Sequence, residues 1–181
     1  TIAGCGGNVQ IQINPGVQVE GSGTAASEER ELAEFERISV SNAISATLTQ
    51  GEVDSVTVSG DDNVVPLVLT EVADGMLTVR FKDNTSVSTK TPLKVEIVAK
   101  VWPNGLDLSG ASRLEAADFE GEKLQVEVSG ASRIMLTGKV ASLTVEASGA
   151  SSAELSGLAA EAAQVDACLL YTSDAADDAN C

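Results

Sequence analysis

The chain has no histidine, so the commonest general base and the commonest transition-metal ligand are both missing. Aromatic residues make up 3% of it, with one tryptophan and one tyrosine. The large ring anchors of compact globules are therefore scarce, and a core must be laid down in thin layers of Val, Leu, Ile and Ala. Lysine and arginine number 11 against 27 aspartates and glutamates, a formal charge of −16. Without a basic face to release counterions or meet headgroups, the chain is not suited to nucleic acid or to electrostatic docking on anionic lipid. Its acidic surface serves solubility. No run approaches the roughly 20 apolar residues of a membrane-spanning helix. The three cysteines, Cys5, Cys168 and Cys181, lie outside the patterned middle of the chain and imply no disulfide framework.

What is present is a repeat. Ser-Gly-Ala-Ser begins at Ser109, Ser129 and Ser148, in steps of 20 and 19 residues. Ahead of the motifs stand Leu106 and Leu108, then Val126 and Val128, then Val145 and Ala147; behind them stand Leu114 and Ala116, Ile134 and Leu136, Ala153 and Leu155. A spacing of two is a strand period, so each repeat offers two short strands with one apolar face. Gly110, Gly130 and Gly149, each preceded by Ser109, Ser129 or Ser148, mark the turn between those strands, and the alanine that follows is small enough to face inward at a corner. A period of about 20 residues without intervening helix predicts an all-β fold, a right-handed parallel β-helix or β-solenoid. One such rung buries too little to stand alone, so equivalent strands must stack. The alanine-rich residues 159–163 have helical propensity, yet Ala163, Val165 and Ala167 fall on the columns of Leu143, Val145 and Ala147 and are read as a further rung.

Upstream the alternation is less regular. It runs through Ile38 and Val40, Val56 and Val58, then Leu77, Val79 and Phe81, and it breaks at Gly-Asp-Asp and Asp-Gly turns. Leu93, Val95 and Ile97 alternate before Pro103-Asn104-Gly105. Residues 27–35, Ser-Glu-Glu-Arg-Glu-Leu-Ala-Glu-Phe, are predicted as a short helix with Ser27 at its N-cap and glutamates in its first turn.

Several stretches resemble known sequences. Ile2-Ala3-Gly4 before Cys5 resembles the lipobox of bacterial lipoproteins, which implies a signal-peptide remnant over residues 1–4, acylation of Cys5 and a flexible linker over residues 5–26. Residues 35–51, 56–65, 72–81 and the Leu-Ser-Gly-Ala-Ser repeats from Leu108 onward resemble the auto-transporter adhesin head GIN domain family. That resemblance implies a bacterial cell-envelope protein, often a lipoprotein, with a right-handed β-helical body; it supplies no catalytic residue. The domain is expected over residues 27–167. A fourth motif is due near position 168, where Cys-Leu-Leu-Tyr-Thr-Ser-Asp-Ala-Ala-Asp-Asp stands instead over residues 168–178. This segment resembles the in-frame translation of a sequencing-library adapter. Residues 168–181 are therefore expected to be non-native, with the natural protein continuing for further rungs.

Candidate sites are few. Gly60-Asp61-Asp62-Asn63 offers the oxygen ligands calcium prefers but lacks EF-hand or β-roll spacing, and it reads as a turn. The motif serines suit turn capping better than sugar binding. Asp107, Glu115, Glu127, Glu146 and Glu154 are the carboxylates a glycan-cleaving β-helix would draw on. Glu127 and Glu146 alternate with inward residues, however, and should face water one above the other. Trp102 beside Pro103 is expected to plug the junction of the two halves, with sugar stacking as the alternative. The sequence thus points to a lipid-anchored envelope protein on the outer membrane, presenting a surface for adhesion or protein contact. No catalysis, cofactor, metal or nucleic acid is implied. A glycan-binding or glycan-cleaving β-helix is the second reading, and the partner is an unknown protein or glycan of a cell surface.

Overall fold

The computed structural model describes residues 17–169, and Cys5 with the expected signal remnant lies outside them. The fold is all-β. In chain order the strands are β1 (Val17–Glu20), β2 (Ala25–Glu31), β3 (Arg37–Val40), β4 (Ser45–Gln50), β5 (Ser55–Asp61), β6 (Val68–Ala73) and β7 (Met76–Phe81). They continue as β8 (Thr85–Ser88), β9 (Lys94–Ala99), β10 (Gly105–Leu108), β11 (Arg113–Val128), β12 (Arg133–Gly149) and β13 (Ser152–Leu169). One 3-10 turn, Val65–Leu67, precedes β6.

The repeats stack in parallel and in register. On one face β7, β3, β10 and the second half of β11 lie side by side, followed by β12 and β13. On another face the order is β9, β4, the first half of β11, β12 and β13. Equivalent side chains therefore form columns running along the stack. Leu77, Ile38, Leu106, Val126 and Val145 make one, and Val95, Ala46, Leu114 and Ile134 another, all of them buried. Each aliphatic side chain withdrawn in this way contributes about 1.5–3 kcal/mol. The column ends in the open: Val145 is 1% exposed, and Val165 above it 61%.

Chain order and stacking order differ. Residues 37–50 come first in the sequence but sit second in the stack, between the rung of β7 and β9 and the rung that begins at β10. This is why the upstream alternation looked irregular: Ser41-Asn42-Ala43-Ile44 occupies the corner that Ser-Gly-Ala-Ser occupies later. The Ser109 N–H bonds to the Val40 carbonyl at 3.0 Å and the Arg113 N–H to that of Ile44 at 2.9 Å. The step from 20 to 19 residues also has a location. Between Ala116 and Phe119 two residues of β11 oppose one in β12, and the compensating extra residue lies in β13, where Leu155 and Ser156 between Glu154 and Gly157 oppose Leu136 alone. A Cβ on Gly138 at this corner would collide with the Phe119 carbonyl oxygen, so the shortened corner depends on glycine.

The sheet is mixed, not purely parallel. β5 runs antiparallel to β9, β2 antiparallel to β5, and β6 antiparallel to β7. These strands close the end of the stack opposite β13. The expected helix over residues 27–35 is absent, because most of its predicted span belongs to β2. Antiparallel pairing with β5 supplies the backbone partners that helix propensity alone would have sought. Its glutamates leave a charged edge strand that resists further pairing. Arg30 locks this end: its Nη1 donates to the Val68 carbonyl at 2.6 Å and to Thr70 Oγ1 at 3.1 Å, and its Nη2 to the Val65 carbonyl at 3.2 Å. Of the stretch expected as flexible linker, Val17–Glu20 pairs in parallel with Thr85–Ser88, and residues 25–26 open β2. Residues 159–163 are strand, as the column count required.

Candidate functional site

The alternation that sends Ile38, Leu106, Val126 and Val145 inward sends their neighbours outward. Register places Ser39, Asp107, Glu127, Glu146 and Asp166 directly over one another, about 4.8 Å apart from strand to strand. Four consecutive carboxylates thus form one ladder. Beside it stand Gln125, Thr144 and Gln164. The Gln125 amide donates to Glu127 at 2.8 Å and the Gln164 amide to Asp166 at 3.2 Å, so the amides steady the ladder they flank. Ser129 and Ser148 border it on the corner side, and with the four carboxylates they line an open groove of about 740 Å³. Like charges stacked this way oppose one another. Burial pushes the Asp107 carboxyl above the usual carboxylate range, the Glu127 charge adds to that, and Arg37 opposes it. Asp166 was not among the carboxylates singled out from the sequence, although its position 20 residues after Glu146 carried the signal.

Glu115 and Glu154 do not join this ladder. They lie on another face, with Met135 between them in register. Among the described residues no group of three or more His, Cys, Asp or Glu is arranged to hold a metal ion.

The corners are built as follows. Gly110, Gly130 and Gly149 all have φ between 71° and 76° and stand in one column, with the Ala131 N–H on the Gly110 carbonyl at 2.7 Å and the Ala150 N–H on that of Gly130 at 2.8 Å. The alanines do not turn inward: Ala111, Ala131 and Ala150 are exposed. The inward residue is the second serine of each motif, and Ser112, Ser132 and Ser151 are all buried. Their hydroxyls are used by backbone: Ser112 Oγ donates to the Ser109 carbonyl at 2.9 Å, Ser132 Oγ accepts from the Ser112 N–H at 3.2 Å, and Ser151 Oγ donates to the Val128 carbonyl at 3.1 Å. The first serines remain partly or fully open, and Ser129 Oγ reaches the Leu108 carbonyl at 3.3 Å.

Gly60-Asp61-Asp62-Asn63 ends β5 as a staple. The Asp61 carboxylate is buried and accepts the N–H groups of Gly23 (2.9 Å), Lys90 (2.8 Å) and Thr91 (3.2 Å). Burial, the largest single influence, works against its ionisation, but the backbone donors outweigh it and hold the carboxyl below its usual range. Asn63 bonds the Ser22 N–H and the Glu20 carbonyl, at 2.9 and 2.8 Å. Trp102 is half-buried on the connection from β9 to β10 and packs against Phe119, ring centroids 4.8 Å apart at 42°.

Residues 34–168 match the family model described as "Putative auto-transporter adhesin, head GIN domain". The chain belongs to this family. The matched span begins just before β3 and ends inside β13, so the GIN domain here comprises the parallel stack and most of its antiparallel cap. Solved structures share the fold. A "putative adhesin" from Bacteroides fragilis is 18% identical with a TM-score of 0.69, over 84% of this chain and 80% of that one. A "putative adhesin" from Parabacteroides merdae is 19% identical with a TM-score of 0.57, over 83% and 80%. A "putative lipid binding protein" from Parabacteroides distasonis is 13% identical with a TM-score of 0.60, over 83% and 81%. No curated protein matches the chain in sequence. Among the described residues no helix of the GIN domain is long and apolar enough to cross a membrane.

Proposed function

We propose that this GIN-domain protein is an extracytoplasmic envelope protein, held to the outer membrane by acylation of Cys5, whose right-handed solenoid displays a rigid surface for adhesion or protein contact. It performs no catalysis in this reading. One observation supports it above the rest: the ladder of Asp107, Glu127, Glu146 and Asp166 repeats in register along an open, shallow face. Evenly spaced like groups on a rigid lattice suit many weak contacts with an extended partner, where avidity and not a deep pocket supplies the affinity. The negative ladder favours partners with a complementary basic surface and is unsuited to nucleic acid.

Binding of the purified protein to bacterial or host cell surfaces should fall at least tenfold in an Asp107→Asn, Glu127→Gln, Glu146→Gln protein, and it should weaken as salt rises. Retention of full binding by the neutralised ladder, with the fold intact by circular dichroism, would exclude the ladder as the contact surface. The anchor is tested separately with a fatty-acid analogue: the label should enter the wild-type precursor and be absent from Cys5→Ala.

A further inference from the structure

The chain's one tryptophan is only half-buried, packed against the edge of the aliphatic core. Trp102 rides on residues 100–104, which carry the chain from β9 past the rung of residues 37–50 to β10, and it lines two clefts that share Lys100, Val101 and Asn104. The first, about 480 Å³, is lined by Gln50, Lys100, Asn104, Glu120 and Lys123. The second, about 450 Å³, is lined by Glu34, Phe35, Glu36, Asp54 and again Lys100 and Asn104. Val101, 69% exposed, borders both.

The polar heads in these clefts are largely unspent. Among the described residues Glu34, Glu36, Lys100, Glu120 and Lys123 have no ion pair and no side-chain hydrogen bond. Asp54 uses one oxygen on the Lys100 N–H at 2.9 Å and keeps the other. Trp102 itself is held by its ring contact with Phe119, and its indole N–H, shielded from water, finds no acceptor in the protein. Turning the indole toward a ligand therefore breaks no hydrogen bond.

We propose that the paired clefts around Trp102 bind a short neutral oligosaccharide. A pyranose presents an apolar C–H face and a rim of hydroxyls that both donate and accept. Here an indole and Val101 meet the first need, while ammonium and amide donors interleaved with carboxylate acceptors meet the second. Two clefts that share one aromatic ring suit two or three linked sugar units better than one. Glu34, Glu36 and Asp54 disfavour ligands carrying phosphate, sulfate or carboxylate. The inference goes beyond the surface role proposed above and does not depend on it, since the carboxylate ladder and the lipid anchor involve other residues.

A single tryptophan makes the test direct. Intrinsic fluorescence is followed while the protein is titrated with glucose, galactose, mannose and N-acetylglucosamine and with their disaccharides and trisaccharides, each to millimolar concentration. A saturable change is expected for at least one disaccharide or trisaccharide, at least tenfold tighter than its monosaccharide and absent for a glucuronic-acid counterpart. By calorimetry, Trp102→Phe and Asn104→Ala should each weaken that binding tenfold or more while the circular dichroism of the folded protein is kept. Absence of saturation across the panel overturns the proposal, as does wild-type affinity in both variants. The triple ladder variant should bind the sugar normally, so failure of this site and failure of the adhesive ladder are told apart.

Discussion

Gly130 has φ +71°, and a Cβ there would lie 2.5 Å from the Gly110 carbonyl oxygen. An L-residue in that backbone region costs about 1–2 kcal/mol before any clash is counted, and the contact allows no relief because its partner is backbone bonded to Ala131. Gly130→Ala is therefore expected to lower unfolding free energy by at least ~2 kcal/mol in urea melts. The earlier corner gives the opposite case. Asn42 and Ala43 both have positive φ, 65° and 61°; asparagine tolerates this and alanine does not. Ala43→Gly should gain roughly 0.5–1 kcal/mol, the relief of strain less the entropy a glycine loses. A null result there would mean that the left-handed turn is relaxed without glycine. The buried serines behave differently: Ser132→Ala leaves the Ser112 N–H without its partner inside the corner, a loss of about 1–3 kcal/mol.

At the scale of elements, two carboxylates respond to pH in opposite directions. The Asp61 carboxyl is held below its usual range by the backbone donors of Gly23, Lys90 and Thr91. Its contribution is complete above the unfolded value near 4 and is lost as pH falls through the folded one. Asp61→Asn should therefore destabilise at neutral pH, and the gap to wild type should close in acid. Asp107, raised by burial and by Glu127, penalises the folded state above its own value and not below the unfolded one. Asp107→Asn should stabilise slightly, by less than about 1 kcal/mol for a group this open to solvent, and only at the upper end of the same titration. Parallel pH-stability curves for wild type and the two variants decide both signs. The elements themselves were unequally legible. The C-terminal rungs were plain in the period-two columns and the glycine steps, because in-register stacking imposes the same demand on each repeat. β2 was not, since its Glu-rich residues satisfy helix propensity and become strand only through β5, a partner that local sequence cannot announce. The inward serine was missed because alanine is the more apolar of the two; the corner needed a hydroxyl for buried backbone, not an apolar side chain.

For the whole molecule the decisive feature is that contacts are between neighbours along one axis, while the chain visits those neighbours out of order. The order could not be read from the sequence, because the Asn-Ala corner at residues 42–43 disguises the second rung and nothing local records that residues 76–99 pass beneath it. A stack of this kind loses stability additively from its open end and drastically from its middle. Among the described residues, removal of 150–181 takes away β13 and the corner residues Ala150 and Ser151 that lead into it, and uncovers Leu143 and Val145 of β12, whose other neighbours in β11 stay in place. The shortened protein is expected to elute on gel filtration in the same oligomeric state as the parent, to keep the circular dichroism of a β protein and to unfold in one transition. Leu48 lies at the opposite extreme: it is fully buried in β4, with Ile97 of β9 on one side and Ala116 of β11 on the other. Leu48→Ala opens a cavity where the two halves of the stack meet and should cost about 2–5 kcal/mol, more than losing the terminal rung. A shortened chain that fails to fold, set against a Leu48→Ala protein that melts as wild type does, would place the stabilising contacts at the open end and refute the nearest-neighbour account of this fold.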